Sequence, residues 1–136
     1  MEKLKDILLI DDRPSIYQNF IDELQKQYNV VVALSLRGAL RQLRFRKFDL
    51  AIVDMMMPAN GFKNINDFHA GLMFYDSVIR SNYPEMPTII WSVINEVTEY
   101  KNKKQKLGQQ IDNLYYCNKE RVSNLLSVIN SILGYR

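Results

Sequence analysis

Apolar positions along the chain alternate between short continuous runs and stripes at helical spacing, the pattern that builds a parallel sheet with helices on both faces. Five such units follow one another. Asp6 to Ile10 predicts the first strand. The helix after it opens near Pro14, a residue suited to a first helical turn, and Ile16, Phe20 and Leu24 recur at a spacing of four to face the sheet. Val30 to Leu34 predicts the second strand, and Ser35 caps a helix that buries Leu36, Leu40 and Leu43. The third strand, Phe48 to Val53, is almost continuously apolar, as a strand covered on both faces should be, and it ends at Asp54.

A loop from Met55 to about Ala70 follows, longer than the usual connection between strand and helix. Leu72, Tyr75, Val78 and Ile79 mark the third helix, and Pro84 and Pro87 bracket the turn into a fourth strand, Thr88 to Trp91, closed by Ser92. From Asn95 to Lys106 the chain is polar, with only Val97, Tyr100 and Leu107 at helical spacing, so the fourth helix is expected to be the most exposed. Leu114 to Cys117 predicts the fifth strand, and Val122, Leu125, Leu126, Ile129 and Leu133 form the buried stripe of the last helix.

Composition narrows the class. At 136 residues the chain has the size of one ordinary domain, and 47% apolar with 24% charged residues is the balance of a folded globular protein rather than a disordered one. No run of about 18 apolar residues is present. The start MEKLKDILLIDD is too short in its apolar stretch, and closed by acids too early, for a signal peptide, so a cytoplasmic location without membrane contact is expected. The single cysteine, Cys117, has no partner for a disulfide or a CxxC site and reads as packing. The net charge of +3 is concentrated in Arg37 to Lys47 and Lys101 to Lys106, both on predicted helices; without a base-reading motif these are solvated faces, and nucleic acid is not the expected partner.

In an open α/β sheet, ligands bind beyond the carboxyl ends of the strands, where the strand order reverses. The residues at those ends are Asp11 and Asp12, Asp54, Ser92 and Lys119. Taken singly each is ordinary: capping acids, a turn aspartate, a strand-end hydroxyl, a solvated lysine. Their meeting on one edge is not. Three carboxylates repel one another unless a cation neutralises them, and a hard divalent ion such as Mg²⁺ suits Asp12, Asp54 and a backbone carbonyl just after Asp54, with Asp11 behind them. A carboxylate so placed can attack a phosphoryl group, a transfer that depends on alignment and charge neutralisation more than on proton chemistry, with Ser92 and Lys119 engaging the phosphoryl oxygens.

These residues resemble the receiver domains of two-component response regulators over essentially the whole chain. ILLIDD is similar to the family's acidic pair, DLAIVDMMMP to its phosphorylation motif, TIIWS to the strand ending in its switch hydroxyl, and YYCNK to the segment with a switch aromatic three residues before its lysine. The resemblance implies a single receiver domain over 1–136 with a flavodoxin-like (βα)5 fold, a doubly wound parallel sheet in the order 2-1-3-4-5. It implies a phosphoacceptor at Asp54, Mg²⁺ at Asp11, Asp12, Asp54 and the Met56 carbonyl, catalytic assistance from Lys119 and Ser92, and Ser92 and Tyr116 as the switch pair. The implied partners are a sensor histidine kinase or histidine phosphotransfer protein and an output partner that the sequence leaves unnamed. The face of the fourth helix, fifth strand and fifth helix is the surface for that partner or for a homodimer. Catalysis is limited to the domain's own phosphorylation and dephosphorylation, so it is not an enzyme with turnover.

The chain departs from the family in four ways. ANGFKNINDFHA, before the glycine at Gly71, carries an insertion at about 59–70, beside the phosphorylation site. Glu120 stands where the family usually has proline after the lysine. GQQIDNLYY is longer than the usual approach to the fifth strand, and net positive charge is uncommon. The resemblance further implies that the positions of Met56 and Ile94 are those that in the family help orient hydrolytic water; neither side chain can hydrogen-bond it, which predicts slow loss of phosphate.

Other readings fit less well. A nucleotide binder of this fold needs Gly, Ser or Thr amides after the first strand, where two aspartates stand. A haloacid-dehalogenase-like phosphatase resembles a DxD arrangement that DDRPS does not supply. The rival is a pseudo-receiver, an interaction module that works without phosphorylation. His69 reads as an exposed loop residue rather than a phosphodonor or metal ligand, and Met55, Met56 and Met57 as apolar packing rather than a soft metal site. Phe62 and Phe68 either anchor a partner or fold the insertion down. No DNA-binding or catalytic segment follows Lys119, which leaves two arrangements: a stand-alone receiver, or a domain of a longer protein.

Overall fold

The computed structural model describes residues 3–134. Five parallel strands lie in the order β2-β1-β3-β4-β5: β1 Asp6–Ile10, β2 Asn29–Ala33, β3 Leu50–Asp54, β4 Thr88–Ser92 and β5 Leu114–Asn118. This is the parallel sheet that the alternation of runs and stripes predicts, in the flavodoxin-like order that the family resemblance implies. The three central strands are buried along their whole length, which is why their sequences are apolar without alternation, whereas edge strand β2 is partly open.

Side chains of successive strand residues go to opposite faces and feed two cores. On one face Leu8, Ile10, Ala51, Val53 and Ile90 pack with helix α2 (Leu36–Phe45) and the helical stretch α3 (70–82). On the other, Ile7, Leu9, Ile52, Ile89 and Trp91 pack with α1 (Gln18–Gln25) and α5 (Val122–Leu133). Helix α4 (Val97–Lys106) buries only Val97, in keeping with its polar sequence, and Leu107 just beyond it is exposed rather than packed.

Strand ends shift by a residue or two from the sequence reading. Leu34 is exposed beyond β2, and Phe48 is buried ahead of β3 rather than within it. The connection after β1 differs more. Pro14–Tyr17 form a 3-10 turn before α1, and at three residues per turn Ile16 rotates to the outside, 65% exposed; Tyr17, Phe20, Ile21 and Leu24 face the sheet instead. Helix α3 is also irregular, an α segment Ala70–Phe74 running through a π turn Tyr75–Ile79 into a last turn Arg80–Asn82. No apolar spacing distinguishes that π turn in advance.

The loop after β3 is structured. Phe62 packs edge-on against Phe74, with ring centroids 5.8 Å apart, while Phe68 is 68% exposed, so of the two aromatics one folds the loop down and the other faces out. Gly61 has φ +85°, and a Cβ there would meet the Arg37 guanidinium of α2 at 2.2 Å. His69 is not a bare loop residue: it ends a 3-10 turn, Asp67–His69, and its Nδ1 lies 2.6 Å from Glu96 Oε2, just before α4. No helix among the described residues is long and apolar enough to cross a membrane.

Candidate functional site

Parallel strands in register bring their carboxyl ends to one edge, and there Asp11, Asp12, Asp54, Ser92 and Lys119 line a cleft of about 590 Å³. Each acid arrives by a local reason. Asp54 is the last residue of β3, paired in register with Trp91 of β4. Asp11 continues β1, its N–H bonded to Ala33 O at 3.0 Å, and its Oδ1 accepts the Arg13 N–H at 2.8 Å, which turns the chain out of the sheet. Asp12 is left facing the cleft mouth, with the Arg13 guanidinium 4.0 Å away.

Gly71 sits where the start of α3 backs directly onto the end of β3. A Cβ at that position would stand 2.4 Å from Asp54 O, and the Gly71 N–H donates to Met55 O at 2.9 Å. Of the three methionines, Met55 and Met57 are buried and Met56 is exposed in the cleft wall.

Lys119 follows β5, its N–H donating to Ser92 O at 2.9 Å, and its side chain, 15% exposed, reaches back to place Nζ 3.0 Å from Asp54 Oδ1 and 3.5 Å from Asp11 Oδ2. Glu120, in the place where a proline would lack an N–H, uses its own: it donates to Asn118 Oδ1 at 2.8 Å, closing a turn in which Arg121 N–H also donates to Asn118 O at 3.1 Å. The departure from proline thus carries its own turn chemistry. Ser92 Oγ accepts the Ile94 N–H at 3.2 Å, and the Tyr116 hydroxyl donates to Ser92 O at 3.0 Å with Val93 O at 3.2 Å.

Charge at the site is unbalanced toward the negative. Burial is the main reason the Asp54 carboxyl stands above its usual range; the hydrogen bond and charge of Lys119 pull it back, and Asp11 and Asp12 push it up again. Burial disfavours the Lys119 ammonium too, but its hydrogen bond to Asp54 and the charges of Asp54 and Asp11 outweigh that and raise it above its ordinary value. Oxygens of Asp11, Asp12 and Asp54 all lie within 4.8 Å of one another, and Asp11 Oδ2 is buried with no hydrogen-bond partner among the described residues. A compact all-oxygen set with excess negative charge and one buried oxygen met only by the Lys119 ammonium at 3.5 Å fits a hard divalent cation such as Mg²⁺.

Tyr17 and Trp91 were not singled out by sequence reasoning. Both rings flank Lys119, Trp91 from β4 and Tyr17 from the 3-10 turn at Pro14–Tyr17, which leaves no mark on apolar spacing.

The chain is thus a doubly wound α/β protein with an acid cluster at the strand ends and a lysine salt-bridged to the central acid. The chain matches the response regulator receiver domain family over residues 7–111 and belongs to that family. Solved structures share the fold. The Francisella response regulator 1452 receiver domain is 24% identical with a TM-score of 0.68, over 94% of this chain and 95% of that one. The chemotaxis protein CheY4 of Vibrio cholerae is 23% identical with a TM-score of 0.66, over 96% and 99%. A CheY-like receiver domain protein of Methanospirillum hungatei JF-1 is 22% identical with a TM-score of 0.68, over 97% and 95%. No curated protein matches the chain. The family match ends before β5; the fold brings Lys119 to the cleft, while Tyr116 lies outside its lining with its hydroxyl on Ser92 O and Val93 O.

Proposed function

We propose that this receiver domain accepts a phosphoryl group on Asp54 from the phosphohistidine of a histidine kinase or phosphotransfer protein, and that the modified site switches a partner-binding face. The observation that supports this best is the 3.0 Å contact of Lys119 Nζ with Asp54 Oδ1 inside a cluster of three carboxylates.

In that reading an Asp54 oxygen forms the new bond to phosphorus as the P–N bond of the donor breaks, its electron pair staying on the imidazole nitrogen, which then takes a proton. Asp11, Asp12, Asp54 and the Met56 carbonyl would hold Mg²⁺, which when bound would supply neutralisation of the phosphoryl oxygens. Lys119 leaves its ion pair with Asp54 to meet one phosphoryl oxygen. Ser92 Oγ gives up the Ile94 N–H to meet another, which draws on the β4–α4 segment where the Tyr116 hydroxyl is tied. The face of α4, β5 and α5 then serves an output partner or a second copy of the chain. A single domain over 1–136, the insertion at about 59–70 and a cytoplasmic setting complete the proposal.

The test is intact mass after incubation with phosphoramidate or acetyl phosphate. One added phosphoryl group that requires Mg²⁺ supports phosphoacceptance; no addition to a folded, Mg²⁺-loaded chain would favour the pseudo-receiver, which acts through its surface alone.

A further inference from the structure

Lys119 is held by more than its carboxylates. Its Nζ lies 5.1 Å from the centroid of the Tyr17 ring and 5.1 Å from that of Trp91. The two rings are themselves in contact, with centroids 4.4 Å apart and planes tilted by 54°, and Phe20 backs Trp91 at 5.9 Å. Trp91 is fully buried, and Tyr17 stands half-buried in the cleft wall. The ammonium therefore has carboxylates on one side, Asp54 at 3.0 Å and Asp11 at 3.5 Å, and aromatic faces on the other.

A lysine has a flexible four-carbon stem and no fixed direction for its donors. In this cleft the stem has to deliver Nζ to one place, first to Asp54 and then to a phosphoryl oxygen, while its ion pair partner changes. A ring quadrupole attracts a cation within about 6 Å of its centroid, and does so more strongly where water is excluded. The rings lie against the ammonium at 5.1 Å each and supply attraction that stays constant when Asp54 becomes modified. We propose that Tyr17 and Trp91 form an aromatic clamp that positions the Lys119 ammonium for phosphoryl transfer. The two rings are positioning residues: they act through the Lys119 ammonium and are given no contact with phosphorus or with a metal ion. This rests on Lys119 as the group that meets the phosphoryl oxygen.

Tyr17 is the ring to test, because it is half-buried and borders the cleft, whereas Trp91 fills the core. Phosphorylation by phosphoramidate at saturating Mg²⁺ is followed as a function of donor concentration in the full chain. Tyr17→Leu is expected to lower the maximal rate about three- to tenfold, as loss of a desolvated cation–π contact implies, with half-saturating donor concentration little changed. Tyr17→Phe, which keeps the ring, is expected to restore the native maximal rate. Fluorinated phenylalanine at position 17 keeps the shape and weakens the ring's negative face, so the rate should fall stepwise with fluorine number.

A Tyr17→Leu chain that reacts at the native rate, or a fluorine series with no trend, would overturn the clamp. A Tyr17→Phe chain as slow as Tyr17→Leu would assign the effect to the hydroxyl and overturn it equally. If Tyr17→Leu fails to fold, the fluorine series decides, since it preserves packing. Failure of the native chain to be phosphorylated at all would instead refute the phosphoacceptor reading on which the clamp depends.

Discussion

Gly71 shows how closely the site depends on single atoms. With 2.4 Å between its imaginary Cβ and Asp54 O, Gly71→Ala has to push α3 off the backbone that carries Asp54, the proposed phosphoacceptor. The expected cost is about 1–3 kcal/mol of stability, typical of overpacking, read by denaturant unfolding, together with slower phosphorylation. Glu120→Pro is expected to destabilise as well, by roughly 0.5–1.5 kcal/mol, because the N–H given to Asn118 Oδ1 disappears. A family-like proline here should therefore not restore anything; a stabilised variant in thermal unfolding would contradict that. Met56 and Ile94 both stand exposed in the cleft wall with apolar tips. Neither can bind an attacking water, so Ile94→Gln or Met56→Asn should shorten the phosphoryl lifetime severalfold in a decay measurement.

Among the elements, α4 is weakly anchored by apolar packing and is held to α3 by a polar hub. Asp76 accepts from the Tyr100 hydroxyl at 2.5 Å and pairs with Lys104 and Arg80, each at 3.2 Å. Burial would raise the Asp76 carboxyl, but the bonds from Tyr100 and Lys104 and the charges of Lys104 and Arg80 outweigh it and hold it below the usual range; burial and Asp76 push Tyr100 up. A lowered carboxylate contributes stability that is present above its unfolded value of about 3.9 and is lost as pH falls through the lowered folded value. A raised tyrosine contributes stability that is present below about 10 and lost above it. The docking of α4 should thus hold across the neutral range and fail at both extremes. In Asp76→Asn the acid limb of the thermal stability profile should flatten; an unchanged limb would show that the hub is not a source of acid sensitivity. The His69–Glu96 contact ties the loop after β3 to the start of α4, and His69→Ala should raise hydrogen exchange across 59–70.

At this scale the sequence was informative where burial is periodic. The strands were legible because fully covered strands are apolar runs of the right length, and the strand-end acids because a parallel sheet gathers such ends on one edge. The 3-10 turn at Pro14–Tyr17, the π turn in α3 and the pairing of His69 with Glu96 across 27 residues were not legible: none follows from local spacing. The same turn hid Tyr17, whose position beside Lys119 exists only once the chain has been wound that way.

For the whole molecule, the cleft with its three carboxylates is where folding stability and ligand binding meet. Repulsion among Asp11, Asp12 and Asp54 is only partly relieved by Lys119, so Mg²⁺ should raise the thermal midpoint of the native chain, and more weakly that of Asp54→Ala. Trp91, the one tryptophan, lies 5.1 Å from the Lys119 ammonium and should report the change as a shift in fluorescence. The cysteine thiol, buried and pushed up to about 11 by that burial, should stay unreactive toward alkylating reagents throughout.

The measurement that bears most directly on the central claim locates the phosphoryl group. After phosphorylation with Mg²⁺, borohydride reduction converts an aspartyl phosphate to homoserine, which peptide mass spectrometry places in the sequence. Homoserine at position 54, absent when Mg²⁺ is withheld, is the predicted result. Homoserine at Asp11 or Asp12, or none in a chain that has gained phosphoryl mass, would contradict the assignment of Asp54 as the acceptor.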